Sequence, residues 1–531
     1  MNKIIITNTT VIDGSGSSPY KSDVLISGDR IAKTGRIGIP DGALVIDGTG
    51  LVCCPGFIDV HTHSDISLVY CGDPSGHVLQ GVTSEVVGNC GYSPFPLKND
   101  PAFIKKRRAS LSLIDTELVD WDWRSFEEYR RQLVKGGVNE NIRILVGYGS
   151  IRAFVMDYED RRPTPSEQTR IDAILRETLE AGACGLSVGL GYAPDFYADT
   201  DELILAAKIV KQTGGIMAFH IRGERKTLFT AVSEVIRIAE ATGVRTEVSH
   251  LKCAGRDNMG RMNEVLAMID AANARGCDIS FDVYPYTAGC SYLGLVFPPK
   301  YHEGGLDKLI ERLSDRTQLP EILHDMEYGY PGWSTIIGEH NGENLLITST
   351  KSGASTGKTV AELGRERNIT PYQAAAALML ENDGIVEMVM FQTSQEDVDM
   401  AINHPLAMFG SDSMAMDPIR ARLRERPHPR YYGAFSKLLA ENREKQIMPM
   451  ERLVHKMTGQ PAERFGFTQR GLIKEGYFAD MCLFSPDEIS SPANYSDPNR
   501  LSAGMRYVLV NGVFAVRDGK AQTVRPGRVL S

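Results

Sequence analysis

Cys54-Pro55-Gly56-Phe57-Ile58-Asp59-Val60-His61-Thr62-His63-Ser64-Asp65 is the stretch on which the reading of this chain turns. A Pro-Gly turn leads into a short buried strand, Phe57 to Val60, which runs out into His-Thr-His. Side chains alternate faces along a strand, so His61 and His63 project together from its end, a geometry that suits two imidazoles on one divalent metal. A bare His-x-His also occurs by chance. This one gains meaning only if distant segments bring further ligands to the same place.

On its N-terminal side, Ile4-Ile5-Ile6, Thr10-Val11-Ile12, Asp23-Val24-Leu25-Ile26 and Ala43-Leu44-Val45-Ile46 are short apolar, β-branched runs punctuated by Asp13-Gly14, Ser27-Gly28-Asp29 and Asp47-Gly48. The far C-terminus has the same texture, with Asn511-Gly512 as a hairpin signal between Tyr507-Val508-Leu509-Val510 and Val513-Phe514-Ala515-Val516. Neither end has the apolar area to stand alone. The two are expected to pack as one discontinuous β-sandwich domain, residues 1–56 and 461–531.

On the other side of His63, apolar runs alternate with helical stretches. Ile142 to Val146 precedes a helix at about Ser166 to Ala181, and Gly185 to Val188 one near Thr200 to Gln212. Ile216 to His220 precedes one near Leu228 to Thr242, and Thr246 to His250 one from Asn263 to Ala274. Strand–helix alternation at this length predicts an α/β fold, a (β/α)8 TIM-like barrel over residues 57–286 and 349–460. The rhythm breaks between them. Residues 287–348, with Pro298-Pro299, a charged helix at about Leu306 to Leu313 and Trp333 in a Gly-Pro-rich loop, are expected to form a small inserted subdomain.

The 531 residues are 42% hydrophobic and 24% charged, ordinary globular proportions with length enough for a large core and a second domain. The net charge of −9 is dispersed, and no basic block exceeds Lys105-Lys106-Arg107-Arg108. Neither nucleic acid nor a membrane is therefore expected as a partner; a small-molecule substrate is, and a homo-oligomer stays open. No apolar run reaches the ~20 residues that span a bilayer, and the start is too short for a signal h-region. Nine scattered cysteines without a Cys-x-x-Cys pair read as reduced thiols of a cytoplasmic protein.

In a barrel of this kind the chemistry sits at the C-terminal ends of the strands. Those ends carry His61, His63, Cys90, His220, His250 and Asp412. Singly, Cys90 reads as a small buried hydrophobe, His220 as a core histidine and Asp412 as a helix cap. All of them at one end of the fold read as a metal site. Thiolate with imidazoles favours Zn2+ over Mg2+ or Ca2+. Zinc lowers the pKa of a bound water to about 7 and polarises a carbonyl, and Asp412 beside that water would serve as general base and then acid of a hydrolysis. Two other motifs compete. Gly185-Leu186-Ser187-Val188-Gly189 has the letters of a nucleophile elbow, but no helix pattern begins before Thr200; Gly353 to Thr359 is one residue short of a P-loop.

These residues resemble a known family. Pro55 to His63 is similar to the first-strand signature of the amidohydrolase superfamily. Gly88-Asn89-Cys90-Gly91, Gly185 to Leu190, Ser249-His250-Leu251-Lys252, Asp282-Val283-Tyr284-Pro285-Tyr286 and Gly410-Ser411-Asp412 together resemble its N-acyl-D-amino-acid deacylase (D-aminoacylase) branch. The resemblance implies hydrolysis of an N-acyl-D-amino acid to a carboxylate and a free D-amino acid, with a cysteine ligand in place of the carbamylated lysine of many relatives. It implies that Cys90, His220 and His250 hold one zinc ion tightly and that His61, His63 and Asp412 line a second, weaker position. The α-carboxylate clamp would fall on Lys252, Tyr284 and Ser291, with Tyr192 as a further substrate contact.

Departures from the pattern are informative. Tyr148 stands where relatives commonly carry His. From Cys290 to Pro299 there is no cation of the kind expected in relatives selective for D-glutamyl substrates, so an apolar or neutral D side chain is expected. Two rival readings are weaker. A hydantoinase-like amide or cyclic-amide hydrolase needs a bridging lysine at a mid-barrel strand end, where Ser150, Ser187 and His220 stand. A metal-free amidohydrolase-like scaffold would have lost ligands that are all present.

Overall fold

The structure, a computed structural model, describes residues 3–70, 75–112, 118–415 and 426–531. Five strands open the chain: β1 (Lys3–Val11), β2 (Tyr20–Ser27), β3 (Arg30–Gly35), β4 (Leu44–Asp47) and β5 (Val52–Pro55). Ile4 and Ile6 of β1 share one face and bury a small core with Val24, Ile26 and Ile31, and Ile5 on the opposite face is buried as well.

The barrel follows with β6 (Phe57–Asp59), β7 (Val82–Val87), β8 (Asn141–Gly147), β9 (Gly185–Gly189), β10 (Ile216–His220), β11 (Arg245–Val248) and β12 (Ile279–Val283), each parallel to the next. The chain then leaves through β13 (Ala288–Tyr292), β14 (Leu345–Thr350) and β15 (Val386–Phe391) and returns with β16 (Ala407–Phe409), parallel to β12. At its outer edge β16 meets the first strand. The Val60 N–H donates to the Phe409 carbonyl at 3.3 Å, the Asp412 N–H to the His61 carbonyl at 2.8 Å, and the His63 N–H to the Ser413 carbonyl at 2.7 Å. These bonds close the eight-stranded sheet and carry Asp412 to the two histidines. Helices Pro165–Glu180, Thr200–Gln212, Leu228–Thr242 and Met262–Ala274 connect successive strands. Their ends obey cap chemistry: Thr164 and Glu167 form a capping box, Asp199 accepts the Glu202 N–H, and Gly243 (φ 64°) ends its helix in the left-handed region.

Four C-terminal strands, β17 (Met481–Phe484), β18 (Met505–Val510), β19 (Val513–Arg517) and β20 (Lys520–Ala521), pair onto β5. The resulting nine-stranded sheet runs β20-β19-β18-β17-β5-β1-β2-β3, with β4 on β1. Asn511 (φ 48°) and Gly512 (φ 76°) make the turn between β18 and β19, as an Asn-Gly hairpin requires. The fold is thus a (β/α)8 barrel with a β-sandwich domain contributed by both ends of the chain. Among the described residues no helix is long and apolar enough to cross a membrane.

The insertion is longer than the 287–348 expected. β14 and β15 pair antiparallel in one sheet with β13, and the helices Val360–Arg367 and Pro371–Glu381 bury Leu363, Leu378 and Met379 in a core separate from the barrel's. Residues 349–391 therefore leave the barrel. A helix pair followed by an apolar strand has the same periodicity as a barrel unit, and only the antiparallel pairing of β15 distinguishes them.

The two domains are pinned by Asp480, buried before β17. It accepts from Arg470, from the Asn511 N–H at 2.7 Å and from Asn141 Nδ2 of β8 at 3.2 Å. Removing one partner of such a buried pair strands the other charge. Asp480→Ala is expected to cost about 3–5 kcal/mol, read as a lower urea midpoint at unchanged slope. A loss under ~1 kcal/mol would show the domains to be held by apolar contact alone.

Candidate metal centre and substrate cleft

Three of the six candidate ligands leave their strands through a left-handed backbone: Cys90 (φ 54°), His250 (φ 37°) and Asp412 (φ 53°). Such a backbone costs a residue with a side chain on the order of 1 kcal/mol or more and persists where the surroundings fix it. Around Cys90 the fixing is visible. A Cβ on Gly88 would lie 2.1 Å from the Leu145 carbonyl oxygen of β8, so only glycine allows the approach. Ser187 accepts the Gly91 N–H at 3.0 Å and donates its hydroxyl to the Gly88 carbonyl. The serine of the Gly-x-Ser-x-Gly letters is a clasp on the Cys90 loop.

Cys90 Sγ lies 3.3 Å from His61 Nε2 and 3.5 Å from His250 Nε2, and His250 Nε2 lies 2.9 Å from His220 Nδ1. Asp412 Oδ1 is 3.2 Å from His63 Nε2 and 3.7 Å from His61 Nε2. All six residues meet in one buried cluster. Their donor atoms fall into overlapping groups, His61–Cys90–His250, His61–His63–Asp412 and His220–Glu224–His250. Glu224 is the member that sequence reasoning missed. It lies in the loop after β10, off any strand end, and its one trace is the spacing His220-x-x-x-Glu224.

The electrostatics follow from this crowding. Burial pushes the Cys90 thiol up, but His61 and His250 beside it bring it well below the ordinary thiol value and make it a thiolate. Burial also opposes charge on Asp412; the Arg430 guanidinium, donating from Nη1 to Oδ2 at 2.7 Å, and His63 hold it well below the carboxylate range. For His63, burial acts downward while the bonds to Asp412 and Cys90 raise it to about 9. Asp282 of β12 reaches His61 Nδ1 with Oδ2 at 3.1 Å, which orients that ring, and accepts the backbone N–H of His250 on Oδ1 at 3.0 Å, which holds the left-handed turn. Lys252 Nζ donates to Glu224 Oε1 at 2.6 Å and lies 2.8 Å from His250 Nδ1. A buried thiolate among imidazoles and carboxylates is a donor set that a divalent transition ion satisfies, and sulfur with nitrogen suits zinc.

The cluster opens into a cleft of about 780 Å³, where Tyr192, Lys252, Tyr284 and Ser291 all reach the lining beside His220, His250 and Asp412. The Tyr192 ring packs 4.7 Å from that of His220. Trp333 and Ile336 of the insertion line the same space. Tyr148 does not; it is fully buried and donates to Glu202 at 2.7 Å. Residues 290–299 bring no cation to the cleft, but Arg225, from the loop after β10, does.

Comparison with known proteins decides the family. The N-acyl-D-aspartate deacylase of Alcaligenes xylosoxydans xylosoxydans is 33% identical over 99% of this chain and 94% of its own, and the D-aminoacylase of that organism 32% identical over 99% and 97%. The chain belongs to the N-acyl-D-amino-acid deacylases. Residues 348–516 of this deacylase also match the model of the amidohydrolase family. A crystal structure of N-acyl-D-glutamate deacylase from Bordetella bronchiseptica, complexed with zinc and a phosphonate mimic of the tetrahedral intermediate, is similar over 99% of both chains with a TM-score of 0.83 and 30% identity. The hydantoinase-like alternative falls away within this family. A dihydropyrimidinase from Brevibacillus agri, at 16% identity and a TM-score of 0.56, shares the fold alone.

Proposed function

We propose that this deacylase hydrolyses the amide bond of N-acyl-D-amino acids, with zinc, to a carboxylate and a free D-amino acid. The observation that carries the reading is the Cys90 thiolate, 3.3 and 3.5 Å from two imidazoles, beside a carboxylate kept ionised by a buried arginine. Cys90, His220 and His250 would hold one ion tightly, and His61, His63 and Asp412 a second, weaker position. Bound there, zinc supplies a Lewis acid and brings a water to a pKa of about 7.

The remaining steps belong to the chain's own residues. Asp412 Oδ1 takes the proton of the attacking water and returns it to the leaving nitrogen, while Arg430 anchors Oδ2 at 2.7 Å. The Lys252 ammonium and the Tyr284 and Ser291 hydroxyls, which line the cleft together, hold the α-carboxylate. Lys252→Met is expected to raise KM for N-acetyl-D-leucine roughly 10–100-fold, the worth of one charged hydrogen bond, with kcat falling less. An unchanged KM would take Lys252 out of the clamp.

The partner in this reading is a small molecule, with no part for nucleic acid or membrane. We place the protein in the cytoplasm, on the ground that all eight described cysteines are free thiols. The deciding experiment is a screen of N-acyl-D- and N-acyl-L-amino acids with and without added zinc. Turnover of D substrates, lost to a chelator and restored by zinc, is expected. A preference for L substrates removes the D assignment. Absence of both metal and turnover in purified protein would revive the scaffold reading.

A further inference from the structure

The described cations that line the cleft are all ion-paired, but not in the same way. Arg222 is saturated: Nε and Nη2 bind Glu234, while Nη1 and Nη2 donate to the carbonyls of Phe196 and Ala198. Lys252 is held by Glu224. Arg225 differs. Its buried guanidinium donates from Nη1 to Glu339 of the insertion and from Nη2 to Gln392 Oε1 at 3.0 Å, and among the described residues no backbone carbonyl shares it. A guanidinium paired with one carboxylate through a single nitrogen, its other terminal nitrogen held only by a neutral amide, is a carboxylate-binding site whose occupant is, here, part of the protein.

The surroundings show that this occupant is built in. Gly255 (φ 85°) donates its N–H to the Gln392 carbonyl at 2.9 Å, and a Cβ on it would lie 2.7 Å from Glu339 Oε1. Gly289 sits between Gln392 and the proposed clamp: a Cβ there would come 3.0 Å from Gln392 Nε2 and 3.2 Å from Tyr284 Oη. The Arg225–Gln392 pair therefore lies one glycine away from where the α-carboxylate is held. Met390, Ile336 and Trp333 add apolar surface to the same cleft.

We propose that Glu339 sets the charge preference of the cleft for the substrate side chain. By pairing with Arg225 at Nη1 while Gln392 holds Nη2, it offsets the only charge of that arginine, and the enzyme selects N-acyl-D-amino acids with apolar or uncharged side chains over D-aspartate and D-glutamate. The inference rests on the deacylase reading above. It also corrects the route to the expected preference: the cleft does contain an arginine, and a carboxylate of the insertion cancels it.

The test compares kcat/KM for N-acetyl-D-leucine, N-acetyl-D-glutamate and N-acetyl-D-lysine in the zinc-loaded full-length protein. The wild type is expected to favour leucine over glutamate at least roughly tenfold, which is about 1.4 kcal/mol of discrimination. Glu339→Gln should raise the glutamate-to-leucine ratio by on the order of tenfold or more, with a glutamate KM that climbs with salt. Arg225→Gln, which exposes the carboxylate instead, should raise the lysine-to-leucine ratio. Wild-type preference for glutamate would overturn the proposal whatever the variants do. So would a Glu339→Gln protein that hydrolyses the leucine substrate with unchanged ratios, or whose kcat/KM shifts equally for all three. If Glu339→Gln does not fold, Arg225→Gln decides, and an unaltered lysine ratio there counts against it. If the wild type turns over none of the three, the deacylase reading has failed, a result distinct from altered selectivity.

Discussion

Cys90→Ser is expected to leave a folded protein that no longer retains its tightly held metal and whose kcat/KM for N-acetyl-D-leucine is lower by on the order of a thousandfold. The expectation separates two things that Cys90 contributes. Its backbone, left-handed at φ 54°, is fixed by the Gly88 approach to β8 and by the Ser187 clasp, neither of which touches the sulfur. The side chain is buried against His61 and His250, whose proximity makes it anionic. Serine fits the same loop, but its hydroxyl does not ionise there, so the site loses one negative charge and its soft donor. Zinc affinity falls because the ligand must be deprotonated to bind, and with the metal go several kcal/mol of transition-state stabilisation. Elemental analysis after gel filtration, beside a thermal melt, reads both halves. Full zinc content with activity within about threefold of wild type would remove Cys90 from the ligand set and weaken the deacylase reading with it.

The parts of this molecule that were legible in its sequence are those whose signals are local. β6 and its His-x-His follow from the two-residue period of a strand and from a Pro-Gly break, although Pro55 itself ends β5 and Gly56 alone separates the two strands. The helices Thr200–Gln212 and Leu228–Thr242 end where they do because Asp199 and Gly243 supply the caps that isolated turns of chain also need. The Asn511-Gly512 hairpin is equally self-contained. Illegible parts depend on which distant segment arrives. Arg430, the first residue of the helix Arg430–Lys445, has no periodic relation to Asp412, and Asp282 binds His61 across the barrel. Arg225 meets Glu339 only because the insertion folds back over the loop after β10. The insertion's own extent was hidden for a related reason: β15 reads as a barrel strand until its antiparallel partners are known. Strand-end position thus identified candidate ligands, while the charges that tune them came from contacts that no spacing encodes.

Asp412→Asn tests the chemistry where Cys90→Ser tests the metal. Asparagine keeps the shape and can still accept from Arg430 and reach His63, so the tight zinc position proposed for Cys90, His220 and His250 should stay filled. What disappears is the carboxylate proposed to carry a proton at Oδ1. General acid–base groups are worth roughly 10²–10⁴ in rate, and kcat should fall by that much while KM changes little. The variant carries a second, opposite-facing consequence. Arg430 is buried, and its charge is paired at 2.7 Å with the oxygen that asparagine replaces by an amide or a neutral carbonyl. An uncompensated buried cation costs about 3–5 kcal/mol, so the melting temperature should drop together with kcat. Arg430→Met separates the two effects. It too destabilises, by leaving the carboxylate with His63 but without its guanidinium, yet it retains the proposed proton carrier and should lose much less kcat than Asp412→Asn at equal metal content. If both variants lose activity equally in proportion to their instability, the carboxylate is structural and the proton passes elsewhere. If Asp412→Asn alone falls by two orders of magnitude or more with zinc in place, the pair divides its labour as the geometry suggests, with arginine holding one oxygen so that the other can turn over a proton.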